Sequence, residues 1–346
     1  MSAPAQIALC SVKNTPETQR LREFSACLGN NPLLVQGSNG NTSIKIDGML
    51  WIKASGKWLA DATAEEIFVS AGIQSVRNIR QDTFSGESSA DGAHPNKPTS
   101  GLRPSVETPM HAVIPHRVVV HVHSINAIAW AIRLDAEKQL MVRLRGLHWK
   151  WIPYVPSGVA LARDVEQVFA ADPEINVLVL GNHGLVICGN DCSSVADLLI
   201  EVERRLAIPA RTFQRPDYAG LRIVTRSLGW EFPRNELIHA LELDEVSRAI
   251  LQNGTLYPCQ AVYLGNRIPS HAVAREVSRS PVNPALNRSC FVPIKKMGVL
   301  VDSTATETEL VTLTALTEIT LRTPKCAPIR YLSEAEICGV MAAGAK

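Results

Sequence analysis

Three histidines pose the chemical question in this chain. His121 and His123 stand two apart in Arg117-Val118-Val119-Val120-His121-Val122-His123. Side chains alternate faces along a strand, so both imidazoles are expected on one side of a Val-rich strand over 117–123. Neutral imidazole is a ligand for zinc, copper, iron and nickel. An H-x-H pair alone is more simply read as two core or surface histidines near a strand end. His183 shifts that balance. It sits in Gly181-Asn182-His183-Gly184, a tight turn between apolar runs at 177–180 and 185–188. A buried polar side chain held at such a strand edge needs a partner. Three protein ligands with one position left open is the pattern of a catalytic zinc site. The expected cofactor is Zn2+ or another divalent metal, held by His121, His123 and His183.

Glu107 precedes the histidine strand, at the start of a short helix expected over 106–114 with Ser105 as its cap. Its carboxylate reads either as a fourth ligand, as an acid/base above the metal, or as a favourable charge at a helix N-terminus. His111, one helical turn later on the same face, reads as a supporting or structural residue. Two Gly/Ser/Asn loops, 36–43 and 54–57, offer backbone N–H groups and hydroxyls of the kind that suit phosphate or carboxylate oxygens, with Lys53 and Lys57 adding charge. Such loops are more often plain turns.

The elements that must position these groups can be read in order. Thr15 and Pro16 open a helix over 16–28. Leu33-Leu34-Val35 reads as a strand. Two β-prone runs around Asp47-Gly48 give a hairpin. Residues 82–101, rich in Ser, Gly, Asp, Pro and Asn, read as a surface loop. Ser124 caps an apolar helix running to about 133. A short strand at 152–155 and a helix from Ser157 to 170 follow. Ser193 or Ser194 caps an amphipathic helix that ends near 206. Beyond Phe213 the texture changes to helices near 234–252, a strand at 260–264, another at 299–301, a helix over 306–321 and a last one capped by Ser333. This divides the chain into 1–212, carrying the metal-binding residues, and 213–346, a smaller α+β domain whose role the sequence leaves open.

The 346 residues carry 46% hydrophobic and 20% charged side chains, an ordinary globular balance, and a net charge of +2. Neither a basic stripe for nucleic acid nor an apolar run of membrane-spanning length is present. The eight cysteines include no C-x-x-C pair, and no secretory signal is visible, so a reduced, cytoplasmic protein is expected. There is no glycine-rich dinucleotide loop after a strand.

Taken together, these residues resemble the class II aldolase/adducin family over roughly 15–210. The resemblance is carried by Gly37-Ser38-Asn39-Gly40-Asn41-Thr42-Ser43, Lys53-Ala54-Ser55-Gly56, Pro104-Ser105-Val106-Glu107-Thr108-Pro109-Met110-His111, His121-Val122-His123-Ser124 and Asn182-His183-Gly184. The 103–109 segment, and Leu256-Tyr257-Pro258 before Ala261-Val262-Tyr263-Leu264-Gly265, look most like the aldolase part of rhamnulose-1-phosphate aldolase/dehydrogenase fusions. The resemblance implies an α/β/α sandwich around a mostly antiparallel sheet. It implies a metal on the three histidines, Glu107 as acid/base, and Asn41, Ser55, Gly56 and Ser105 on a substrate phosphate. It also implies a sugar or sugar-phosphate substrate and a homo-oligomer, tetrameric by the family's habit. The implied reaction is retro-aldol cleavage of a ketose or ketose 1-phosphate through a metal-stabilised enediolate. The rivals are sugar-acid epimerisation or decarboxylation at the same site, and a metal-free adducin-like interaction module. One position departs from the pattern. Where the aldolases often read Ser-Ser-Glu, this chain has Ser105-Val106-Glu107, so the anionic handle of the substrate stays open.

Overall fold

The computed structural model describes residues 15–82, 102–225, 229–265 and 289–344. The loop expected over 82–101 lies outside the described residues except for Asp82, which ends a helix. A seven-stranded sheet is built from β1 (Asn41–Ile46), β2 (Met49–Lys53), β3 (Phe68–Gly72), β4 (Val118–Val122), β5 (Trp149–Ile152), β6 (Val177–Leu180) and β7 (Gly184–Gly189). Their order across the sheet is β3-β2-β1-β4-β7-β6-β5. All neighbours run antiparallel except β5 and β6, the parallel pair. The β1–β2 turn places Asp47 and Gly48 at φ 50° and 75°, the left-handed pair that a two-residue hairpin turn requires.

Central β4 shows how the sequence makes three layers. All five of its residues are buried. Val118, Val120 and Val122 pack with Leu21 and Leu28 of α1 (Pro16–Gly29), Ala127 of α4 (Ile125–Ala131), and Leu199 and Val202 of α7 (Cys192–Leu206). Val119 faces the other way, against Met110 and Val113 of α3 (Thr108–Val113) and Leu161, Val165 and Phe169 of α6 (Val159–Ala171). With helices on both faces, this is an α/β/α sandwich around a mostly antiparallel sheet. By alternation His121 shares the side of Val119, toward α3 and the segment before it.

The C-terminal part carries a small antiparallel sheet, β8 (Trp230–Glu231), β10 (Gly298–Asp302) and β9 (Phe291–Ile294) in that order. Helices α10 (Glu245–Gln252), α11 (Glu307–Arg322) and α12 (Glu334–Gly344) belong to this part. Its core is not separate from the first part. Ile125, Ile128 and Ala129 of α4, with Ile132 just beyond, pack among Leu241, Leu256, Phe291, Leu313 and Leu316. Among the described residues no helix is long and apolar enough to cross a membrane.

Several local expectations are corrected. Residues 33–35 form a turn, because Asn31 captures the donors that a strand would use. Its Oδ1 accepts Leu33 N–H at 3.0 Å and its carbonyl accepts Leu34 and Val35 N–H at 2.9 and 3.0 Å. Gln260–Leu264 is a π-helical turn and not a strand. Gln260 Oε1 accepts Leu256 N–H at 2.8 Å, and Ala261 packs on Leu332 and Ile337 of the chain's end. The helices expected near 234–252 are present, and Asp244 divides them, its extended backbone capping α10. Asp191, not Ser193 or Ser194, caps α7, its carboxylate accepting both serine N–H groups at 2.9 Å. Ser105 does not cap α3, which starts only at Thr108.

Candidate metal centre

His121 ends β4 one residue before its last position, and His123 follows the strand. Their rings lie on one side, with centroids 5.0 Å apart. The β6–β7 turn brings in His183, whose ring centroid is 4.8 Å from that of His121 and 5.2 Å from that of His123. Asn182 takes the left-handed conformation, φ 50°, which closes this turn and directs His183 inward. Gly184 is forced to be glycine, since a Cβ there would stand 2.6 Å from Val122 O and 3.2 Å from His121 Cε1.

Glu107 completes the group. It lies in the turn ahead of α3, and with no helical cap to make its carboxylate is free to reach the histidines. Glu107 Oε1 is 3.2 Å from His121 Nε2 and 3.5 Å from His183 Nε2. His121 Nε2 is 3.2 Å from His123 Nε2. All four side chains are buried, and their ligating atoms lie within 4.8 Å of one another.

Hydrogen bonds behind the rings decide what faces the centre. His121 Nδ1 donates to Leu185 O at 3.1 Å, which orients the ring with Nε2 inward. His123 Nδ1 faces Cys259 Sγ at 3.4 Å. Burial, with His121 adding to it, pushes His123 well below the ordinary histidine range and His183 down to about 4, so both rings are neutral at physiological pH. Burial would raise the Glu107 carboxyl, but the charge and hydrogen bond of His121, helped by His183 and His123, hold it well below the usual carboxylate range. Three imidazole Nε2 atoms and a carboxylate therefore converge on one buried point. Four donors each about 2.0–2.2 Å from a shared zinc stand roughly 3.4 Å apart, close to the separations seen. The residues present thus fit a divalent metal.

The other expected site residues divide. Asn41, opposite His121 in the β1–β4 pairing, donates through Nδ2 to Glu107 Oε2 at 2.5 Å and to Ser105 Oγ at 3.0 Å. Both residues thus brace the glutamate from behind. Asn41 Oδ1 is buried with no hydrogen-bond partner among the described residues. Ser55 and Gly56 are exposed on the adjoining loop, and Ser55 N–H donates to Arg103 O at 2.8 Å. Val106 is 57% exposed, so the departure from the serine pattern lies on an open face. His111 is buried and hydrogen-bonded through Nδ1 to Ser43 Oγ at 2.7 Å, in a supporting place.

The lysines do not add a free charge. Lys53 is buried and donates to Ser38 O at 2.8 Å and Lys57 O at 2.7 Å, tying the two Gly/Ser/Asn loops together. Burial lowers it to about 8, against the pull of Glu107. Lys57 pairs with Glu65 at 2.7 Å. Sequence reasoning missed the C-terminal contributions. Asn182 Nδ2 donates to Leu256 O at 2.7 Å and Arg330 O at 2.8 Å, and Tyr263 OH meets Ser38 Oγ at 3.4 Å. No local motif announces such contacts.

Residues 24–209 match the Class II Aldolase and Adducin N-terminal domain. The chain is similar to a Bacillus subtilis (strain 168) protein, the uncharacterized oxidoreductase YuxG, with 28% identity over 211 residues. That match covers 57% of this chain but only 30% of the relative. Among solved structures, the N-terminal class II aldolase domain of a conserved protein from Thermoplasma acidophilum is 24% identical, with a TM-score of 0.46, over 59% of this chain and 98% of that one. An l-fuculose-1-phosphate aldolase from Thermus thermophilus is 20% identical, with a TM-score of 0.37, over 54% of this chain and 92% of that one.

Proposed function

This chain belongs to the class II aldolase and adducin N-terminal domain family, and we propose that it is a divalent-metal-dependent aldolase that cleaves a ketose or ketose 1-phosphate. The observation that carries the reading is the buried convergence of His121, His123, His183 and Glu107. Zinc suits a donor set of three imidazoles and one carboxylate. When bound, such a cation supplies Lewis-acid stabilisation of the negative charge that cleavage leaves on adjacent substrate oxygens.

The proton work falls to Glu107. Held ionised, its carboxylate is ready to act first as a base. It takes the proton from the hydroxyl on the carbon that departs as aldehyde. The freed pair closes the new carbonyl, the carbon–carbon bond breaks, and its electrons pass into the substrate's original carbonyl to leave an enediolate. Glu107 then returns the proton to the enediolate carbon, so the cycle is balanced. Asn41 and Ser105 keep the carboxylate aimed at the histidines during both transfers. In this reading Ser55 and Gly56, with Asn41 and Ser105, border the pocket for the substrate's anionic end. We further propose that the active form is a cytoplasmic homo-oligomer, and that 1–212 and 213–346 are its two structural units.

The test is aldehyde release by zinc-loaded protein from a panel of ketose 1-phosphates and their unphosphorylated analogues. Release well above a Glu107→Ala control is expected. Epimer or carbon dioxide in place of aldehyde would reassign the reaction while keeping the site. A purified chain with no affinity for any divalent metal would favour an adducin-like interaction module.

A further inference from the structure

The C-terminal segment that sequence reasoning left without a role lies against the metal centre at three places. Leu256 O receives Asn182 Nδ2, Cys259 Sγ faces His123, and Tyr263 OH meets Ser38. Of these, only Cys259 touches a candidate ligand.

The hydrogen-bond directions around Cys259 can be followed from one end. Asn39 Nδ2 donates to Gln36 O at 2.8 Å, which fixes the orientation of that amide and turns Oδ1 toward the sulfur. Cys259 Sγ is 3.4 Å from Asn39 Oδ1, an atom that only accepts, so the thiol hydrogen points there. The sulfur lone pair is then left for His123 Nδ1, 3.4 Å away, which must carry the ring hydrogen. A neutral imidazole protonated at Nδ1 has its Nε2 lone pair free, and Nε2 is the atom that meets His121 Nε2 at 3.2 Å. Leu185 O performs the same office for His121 with a backbone carbonyl. No backbone carbonyl bonds His123 Nδ1 among the described residues.

We propose that Cys259 is a positioning residue for the metal centre: the C-terminal region supplies, through its thiol, the outer partner that fixes His123 in the tautomer and orientation with Nε2 inward. The proposal rests on the metal reading above. Outer partners of metal-binding histidines orient the ring and raise ligand basicity, and their loss typically weakens metal binding by about 10–100-fold. Asn39, from the Gly/Ser/Asn loop, acts one step further out by orienting the thiol.

The experiment uses the full chain with Cys259→Ala, Cys259→Ser and Asn39→Ala, each checked for an unchanged thermal melt. Zn2+ affinity is read by competition with a chromogenic chelator. C259A is expected to bind about 10–100-fold more weakly than wild type, with C259S, nearly isosteric and still able to accept a hydrogen bond, recovering part of the loss. In parallel, long-range 1H–15N correlation of metal-free protein reads the His123 tautomer, assigned by comparison with His123→Gln. Wild type should show Nδ1 protonated and Nε2 unprotonated, C259A a mixture, and N39A a smaller shift the same way. Equal zinc affinity of C259A and wild type overturns the proposal, as does a wild-type His123 protonated at Nε2. A wild-type chain that takes up no zinc defeats the metal reading itself, and the tautomer of C259A then still decides whether Cys259 orients the ring.

Discussion

Two buried groups of histidine and glutamate, one in each part of the molecule, have opposite logic. In the C-terminal part, His239 and Glu242 brace the β9–β10 turn. His239 Nδ1 accepts Val299 N–H at 3.0 Å, and Glu242 Oε1 accepts Lys296 N–H at 2.9 Å. Gly298 is glycine because a Cβ would stand 2.6 Å from His239 Nδ1. There His239 Nδ1 and Glu242 Oε1 each meet a backbone donor, so the side chains complete the fold. In the central sheet, Glu107 and the Nε2 atoms of His121, His123 and His183 meet one another instead. The backbone bond and the thiol lie behind the rings and hold them in that opposition. Polar side chains paired with backbone donors stabilise structure, while imidazoles and a carboxylate that converge on one another form a set fit to hold a cation.

The contrast is most severely tested by removing the two groups in turn. Glu107→Ala is expected to lower aldehyde release by about 10²–10⁴-fold, the range for a lost acid/base, whereas His239→Ala leaves zinc affinity unchanged. Turnover in E107A within a fewfold of wild type would break the comparison. Next in size is the response to the ion. Zinc at a hundredfold its Kd should stabilise wild type by about 2.7 kcal/mol, visible as a raised melt. Glu107→Gln without metal should melt lower than wild type, because it removes the carboxylate that His121 holds ionised; an unchanged metal-free melt would refute this.

A loss of similar size is expected at the structural group. His239→Ala strands Val299 N–H and should cost about 1–3 kcal/mol in denaturant unfolding. A smaller effect comes from pH. Burial holds His111 at about 3, against the pull of Glu107, while an unfolded histidine titrates near 6.5. Between these values the unfolded chain binds a proton that the folded chain does not. Its contribution to stability is therefore complete above about 6.5 and is lost as pH falls toward 3, with a slope of up to about 1.4 kcal/mol per pH unit. His111→Gln should flatten the metal-free stability curve between pH 6.5 and 4.5; an unchanged slope would refute this. Smallest is Val106→Ser, expected to shift stability by less than about 0.5 kcal/mol at so exposed a position. It should also lower KM for a phosphorylated substrate relative to its unphosphorylated analogue. Equal changes for both would remove Val106 from the question of the anionic handle.

Much of the first part was legible because its signals are local. Alternation along Val118–Val122 predicts which face His121 takes, and Asp47-Gly48 predicts its hairpin. Thr15 and Ser124 cap the helices expected of them. Two of the misreadings share a cause, side chains whose partners lie outside the local pattern. Ser105 turns toward Asn41 instead of capping α3, and Lys53 bridges two loops instead of facing a ligand. In the C-terminal part the apolar run 260–264 reads equally as strand or helix, and burial against the chain's last segment selects a π-helical turn.

The sequence by itself determined the ligand types, the facing of His121 and His123 and the glycine-bounded turn of His183, because strand alternation and turn chemistry act over a few residues. Only the tertiary structure decided that Glu107 points into the histidines, that Asn41 holds it there, and that Cys259 and Asn182 tie the C-terminal segment to the centre. Those contacts join residues as much as 220 positions apart, as between Asn39 and Cys259. No local periodicity can specify such pairs, since they follow from how buried polar groups find partners once the layers have packed.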